Sequence, residues 1–369
     1  MSILFEATEI NGMKLANRFV RSATWEGMAA DDGGCTPRLT ELTAELARGG
    51  VGLIITSHAY VRPEGRAVAR QIGVHRDELV EGLREMTAAA HGHGSRIVLQ
   101  IAHSGHMANP KLTGQPALAP SAVAGFAKTP PREMSVSDIE DVADAFGRAA
   151  GRAQAAGFDG VQLHLAHGYL LSQFLSPAFN QRQDEYGGTV ENRARAALAV
   201  LGRVRAAVGD NYPVLVKINS QDFVAGGVSE DDSLQAALLL EKAGIDALEV
   251  SGGTMFSGDL IPPRAKINAE EKEAYFRDAA RRFKERLGIP VILVGGVRSF
   301  GIAERMVKEG CADYISMSRP FIREPGLVRR WQSGDLRRAT CASDNQCFGA
   351  AMAGEGIYCV VERKQQKKG

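Results

Sequence analysis

Two histidines and a tyrosine share one short stretch, His164-Leu165-Ala166-His167-Gly168-Tyr169. Imidazole N–H groups can hold a carbonyl oxygen, and a phenol beside them can deliver a proton. Paired histidines also begin a zinc site, yet no Asp, Glu or Cys ligand accompanies them at the neighbouring strand ends. Either histidine alone also reads as a satisfied structural residue. Lys217 interrupts the apolar run VLVKIN (214–219). A buried, unpaired ammonium is costly, so Lys217 either pairs with a carboxylate or faces an electron-rich ligand. Gln100, in VLQIA, both donates and accepts, as the edge of a polar ring requires. Gly295-Gly296 and Ser318-Arg319 suit a phosphate, with small residues admitting backbone N–H groups and Arg adding a forked charge. The glycines alone would read as turns; two neighbouring loops that agree favour phosphate.

These residues recur at one kind of place. The junctions ARGGVGLII (47–55), AAGFDGVQL (155–163), KAGIDALEV (242–250) and KEGCADYIS (308–316) repeat a helix stopped by Gly and followed by a buried strand. Eight strands are predicted at 19–23, 51–57, 96–102, 160–166, 214–219, 247–251, 290–294 and 314–318. Their continuous apolar character predicts a parallel sheet covered on both faces. A helix is predicted over 138–156, capped by Ser137 with Glu140 closing a capping box, and another begins at Ser229. Eight βα units predict an α/β fold, a TIM (β/α)8 barrel spanning 1–333, with an open doubly wound sheet as the alternative. Active sites of such barrels lie at the C-terminal strand ends. That rule collects Ser22, Ala23, Thr24, His58, Gln100, His164, His167, Lys217, Ser251, Gly252, Gly295, Gly296, Ser318 and Arg319. Asn11-Gly12 predicts a hairpin that plugs the barrel floor. Residues 104–136, with five prolines, form a long connection. Residues 334–369 form a C-terminal extension bearing Cys341, Cys347 and Cys359.

Composition excludes several classes. Of 369 residues, 44% are hydrophobic and 24% charged, ordinary for a globular chain and unlike a disordered one. Lys plus Arg number 44 against 43 Asp plus Glu, a balance that argues against a nucleic-acid partner. The basic tail, Arg363, Lys364, Lys367 and Lys368, reads as a solubilising terminus. No apolar run reaches the ~18 residues of a membrane span, and the N-terminus shows no basic leader. Five cysteines, an odd number, argue against a secreted disulfide scaffold, so a cytoplasmic protein is expected. No GxGxxG occurs, so no appended dinucleotide-binding domain is expected.

The motifs together resemble the old yellow enzyme family of NADH:flavin oxidoreductases. They are Asn17-Arg18 with RSAT (21–24), GLIITSHAYVRPEGR (52–66), Gln100-Ile101-Ala102-His103, HLAHGYLLSQFLSPAFNQRQDEYGGTVENR (164–193), Lys217, LVGGVR (293–298) and SMSRPF (316–321). The resemblance spans residues 3–330. It implies FMN across the barrel mouth, its phosphate on Gly296, Ser318 and Arg319 with Ser251 and Gly252 nearby. Gln100 would meet the pyrimidine edge, and Lys217 would stand by N1 and C2=O. His164 and His167 would bind the substrate carbonyl, as in the His/His branch. Tyr169 would protonate the α carbon while hydride from NADH or NADPH passes through flavin N5 to the β carbon. Trp25 stands where many relatives carry Cys or Thr, and SGHMANP after His103 lacks a basic residue common there. The tail resembles the cluster-bearing branch of 2,4-dienoyl-CoA reductase and trimethylamine dehydrogenase. Asp344 replaces one expected cysteine, and a carboxylate is a harder, poorer iron–sulfur ligand. No iron–sulfur cluster is therefore expected, nor any later domain to use its electrons.

Three functions compete. The first is an FMN-dependent ene-reductase of a small-molecule substrate. The second is a non-redox barrel lyase or isomerase gripping a phosphorylated substrate, with Lys217 as a Schiff-base amine. The third is a flavin/iron–sulfur electron-transfer subunit docking through its tail. That tail also offers a surface to a second copy of the chain, leaving a homo-oligomer open.

Overall fold

The computed structural model describes residues 2–125 and 130–367; Lys368 of the basic tail lies outside them. A hairpin comes first, β1 (Thr8–Ile10) paired antiparallel with β2 (Met13–Leu15). Asn11 and Gly12 both adopt positive φ, 41° and 78°, as a two-residue turn between twisted strands requires. The larger sheet then takes β3 (Phe19–Arg21), β4 (Leu53–Ile55), the short β5 (Ala59–Tyr60) and β6 (Arg96–Ala102). A small two-stranded pair, β7 (Leu118–Ala119) and β8 (Arg132–Glu133), lies in the long connection. Next come β9 (Gly160–Leu165), β10 (Val214–Asn219), β11 (Ala247–Ser251), β12 (Val291–Val294) and β13 (Tyr314–Met317).

All eight predicted strands are present, and they close. The parallel order runs β3-β4-β6-β9-β10-β11-β12-β13 and returns to β3. This is the TIM barrel, with helices between the strands. The helix predicted from Ser137 starts earlier, at Val136, with Ser135 as its cap. Both positions read Ser-x-x-acid. The earlier box wins because Arg132 grips the Asp138 carboxylate at 2.8 and 2.9 Å while Ser135 exchanges its own bonds with it. Ser229 caps Glu230–Lys242 as predicted, accepting from the Asp232 N–H.

Inside the barrel, side chains one step of two residues apart form layers. The floor is apolar: Val20, Leu53, Val98, Leu215, Ala247, Ile292 and Tyr314, sealed from below by Ile10, Met13 and Leu15 of the hairpin. Two residues further along the same strands the character changes to Ser22, Gln100, Lys217, Glu249 and Ser316, all buried. The plugged floor therefore carries a polar layer that opens only toward the C-terminal strand ends. Residues 334–367 fold back over that end, with Cys347, Ala351 and Ile357 packing against Trp25, Met28 and Phe348. No helix among the described residues is long and apolar enough to cross a membrane.

Candidate active site

The polar layer floors a cavity of about 530 Å³. Ser22, Ala23, Thr24, His58, Gln100, His164, His167, Tyr169, Lys217, Ser251, Gly296, Ser318 and Arg319 all line it. Gly252 and Gly295 were also expected there but do not line it. They back onto Phe276, and a Cβ added at Gly252 would lie 2.7 Å from that ring. Their smallness serves packing behind the wall.

At one end three imidazoles and a phenol converge. The rings of His164 and Tyr169 lie 4.4 Å apart between centroids, and those of His164 and His167 lie 5.3 Å apart. Tyr169 Oη is 2.9 Å from His58 Nε2, a pairing that joins the ends of β4 and β9 and that the sequence did not disclose. His167 sits at φ 63°, uncommon for a non-glycine residue. Asn219 Oδ1 holds its N–H at 3.1 Å, and its Nε2 lies 2.8 Å from Ser251 Oγ. Ser251 thus supports a histidine. His164 Nδ1 is buried with no hydrogen-bond partner among the described residues.

Burial governs the protonation states. It pushes the His58 pKa down to about 4 and holds His164 and His167 well below the usual histidine range. The Lys217 charge and the neighbouring histidines deepen the shift for the latter two. All three rings are neutral near pH 7 and offer N–H donors without competing positive charge. Burial also raises the Tyr169 pKa, so the phenol keeps its proton.

The floor is a connected network. Lys217 Nζ donates to Ser22 Oγ at 2.8 Å and pairs with Glu249 at 3.2 Å. Glu249 also accepts from Ser22, Ser316 and Gln162, and Gln162 Oε1 accepts from Gln100 Nε2 at 2.8 Å. Lys217 therefore has the carboxylate partner expected of a buried ammonium, and it also lines the cavity. Sequence reasoning passes over Glu249, although an acid inside the apolar run ALEVS was the available signal.

At the opposite end, Ser318 Oγ lies 2.7 Å from Thr24 Oγ1. Arg319 Nη1 donates to Asn345 Oδ1 at 2.6 Å. Arg298 lines the cavity too, tied to the Gly296 carbonyl at 2.8 Å and the Cys341 carbonyl at 3.2 Å. Asn345, Phe348 and Met352 of the extension complete the wall. Cys341 lies by Arg298, Cys359 by Arg323, and Cys347 in the apolar cluster, where burial raises its thiol pKa and the nearby Cys341 and Asp344 add to the rise. Among the described residues, no three of His, Cys, Asp or Glu group as metal ligands.

The fold and site together define a closed TIM barrel with a polar-floored cavity at its C-terminal mouth. Residues 3–337 match the NADH:flavin oxidoreductase / NADH oxidase family, and the chain belongs to that family, the old yellow enzymes. It is 34% identical over 386 residues to an NADH oxidase of Thermoanaerobacter brockii, covering 99% of this chain and 58% of that one. A solved complex of 2-naphthoyl-CoA reductase superposes with a TM-score of 0.90 at 27% identity, covering 97% of this chain and 56% of that one. The old yellow enzyme homologue from Zymomonas mobilis superposes at 0.79 with 29% identity, covering 92% and 95%. The chain thus spans little more than half the length of the first two.

The family's cofactor is FMN, with NADH or NADPH as donor. The cavity fits FMN chemically: a cation and an amide on the floor, arginines at the far end, and buried orphan atoms, His164 Nδ1 and Trp25 Nε1, on its walls.

Proposed function

We propose that this protein is an FMN-dependent reductase of α,β-unsaturated carbonyl compounds or related activated alkenes. The carrying observation is the convergence of neutral His164 and His167 with protonated Tyr169 at one end of a cavity whose floor and far wall suit the flavin. The bound cofactor would supply hydride transfer from NAD(P)H to the substrate.

Lys217 and Gln100 would hold the polar edge of the isoalloxazine. Arg319 and Arg298, with the backbone around Gly296 and Ser318, would hold the phosphate. Ala23 and Thr24 would stand against the ring system, and Trp25 would close that side. His164 and His167 would donate to the substrate carbonyl oxygen, where negative charge develops as the β carbon is reduced. Neutral imidazoles suit this role because their N–H groups are fixed in place before charge appears. Asn219 and Ser251 would keep His167 aimed. Tyr169 would give its proton to the α carbon, with His58 Nε2 beside the phenol oxygen to steady it. The extension would narrow the mouth through Phe348 and Met352.

The Schiff-base alternative is disfavoured because the Lys217 amine is engaged by Glu249 at 3.2 Å and by Ser22 Oγ at 2.8 Å. The test of the oxyanion pair uses a phenol, whose phenolate mimics an enolate. Wild type loaded with FMN should give long-wavelength charge-transfer absorbance with a substituted phenol. The His164→Ala/His167→Ala protein should lose that binding, since each donor typically contributes ~2.7–4 kcal/mol. Retained absorbance would sink the assignment.

A further inference from the structure

Glu249 is fully buried at the centre of the barrel, yet it does not line the cavity. Four donors meet it: Ser22 Oγ at 2.7 Å and Ser316 Oγ at 2.8 Å on Oε1, Gln162 Nε2 at 3.0 Å on Oε2, and Lys217 Nζ at 3.2 Å. Ser22, Ser316 and Lys217 do line the cavity, as does Gln100, the next residue along the chain of amides.

A carboxylate only accepts, so it dictates the direction of every bond around it. Gln162 must turn its NH2 toward Glu249, which leaves its carbonyl for Gln100. Gln100 must then give its NH2 to Gln162, which leaves its own carbonyl for the cavity. Ser22 Oγ accepts a hydrogen bond from Lys217 Nζ and donates its own O–H to Glu249. The floor therefore shows a ligand one ammonium and one amide acceptor in a fixed order. The pyrimidine edge of an isoalloxazine, with a C=O acceptor next to an N–H donor, is the complement.

The same carboxylate offsets the one cation on that floor. Reduction places more negative charge on the pyrimidine edge, and an uncompensated Lys217 would favour that state. We propose that Glu249 is a positioning residue that sets the hydrogen-bond polarity of the floor and, by offsetting Lys217, lowers the preference of the site for reduced over oxidised FMN. This rests on the reading that the cavity holds FMN.

The test compares wild type, Glu249→Gln and Glu249→Asp loaded with FMN. Midpoint potentials come from anaerobic dye-coupled titration, and FMN affinity from fluorescence titration of the apoproteins. A charge a few ångströms away at an effective dielectric near 20 exceeds a tenfold effect. Glu249→Gln should therefore raise the ratio of reduced to oxidised affinity at least about tenfold, a rise of about 30 mV for the two-electron couple. Glu249→Asp, which keeps the charge, should stay near wild type. An unchanged or lower potential in Glu249→Gln would overturn the inference. If that variant fails to fold or to hold FMN, Ser316→Ala carries the test. It keeps the carboxylate but strips a donor from it, and its potential should fall; a rise or no change would overturn the proposal. Wild type that binds no FMN would defeat the reading of the cavity and this inference with it. Wild type that binds FMN beside a Glu249→Gln protein of unmoved potential would defeat this inference alone.

Discussion

Replacing Tyr169 by Phe removes one oxygen and nothing else from the histidine cluster. That oxygen is 2.9 Å from His58 Nε2, and its ring packs 4.4 Å from His164. The ring packing survives the change, so the cavity keeps its shape. His58 loses its partner, and a buried polar atom left alone costs about 1–3 kcal/mol, enough to lower stability without unfolding the chain. The effect on chemistry should be larger. A positioned general acid typically contributes ~10²–10⁴-fold, or about 2.7–5.5 kcal/mol of barrier. Burial raises the Tyr169 pKa, so the wild-type phenol carries its proton throughout the neutral range and its loss should not be masked by pH. Stopped-flow absorbance separates the two half-reactions. Reduction of the FMN-loaded variant by NAD(P)H should proceed at the wild-type rate. Its reoxidation by an enone should slow by ~10²–10⁴-fold. An unchanged reoxidation rate would show that the proton comes from elsewhere, and slowing of both halves would mean a disturbed cofactor site.

Two further outcomes follow from the buried charges. Lys217→Met strands Glu249 inside the barrel, and breaking one side of a buried pair typically costs about 3–5 kcal/mol; urea unfolding should show that loss, and Lys217→Met/Glu249→Leu should recover most of it, whereas equal loss in both would contradict the pairing. The histidine cluster predicts acid sensitivity: His58 falls to about 4 on folding from an unfolded value near 6.5, so the unfolded chain binds more protons between those values. Its contribution, roughly 3 kcal/mol, is complete above about pH 6.5 and is lost as pH falls toward 4. Unfolding at pH 7.5 and 5.5 should show the decline, with a shallower slope in His58→Phe; equal slopes would refute it.

The barrel was legible because four strands follow close variants of one glycine-stopped helix junction, and that repeat gives both the spacing and the parallel sense. The strand-end rule collects fourteen residues, and twelve of them line the cavity. It failed where side chains two residues deeper matter, as with Glu249 and Gln162, which the cavity never touches. It failed again where a partner comes from a distant strand, as with Tyr169 and His58, because pairing across 111 positions leaves no local pattern. The resemblance implies Ser251 near the phosphate; its hydroxyl lies 2.8 Å from His167 Nε2, a contact no local pattern announced. Asn345, Phe348 and Met352 stand in a segment outside the βα repeat, so nothing in their spacing showed that they return to the mouth.

The proposed reaction is reduction of activated alkenes in this cavity through FMN at the expense of NAD(P)H. The most direct measurement is an anaerobic titration of the FMN-loaded protein with NADH and, separately, NADPH, followed by a simple enone such as cyclohexenone. The yellow absorbance should bleach with at least one of the two nucleotides. It should return on adding the enone, with one saturated ketone formed per flavin reoxidised. A flavin that neither nucleotide bleaches, or a bleached flavin that stays reduced while the enone remains unchanged, would contradict it.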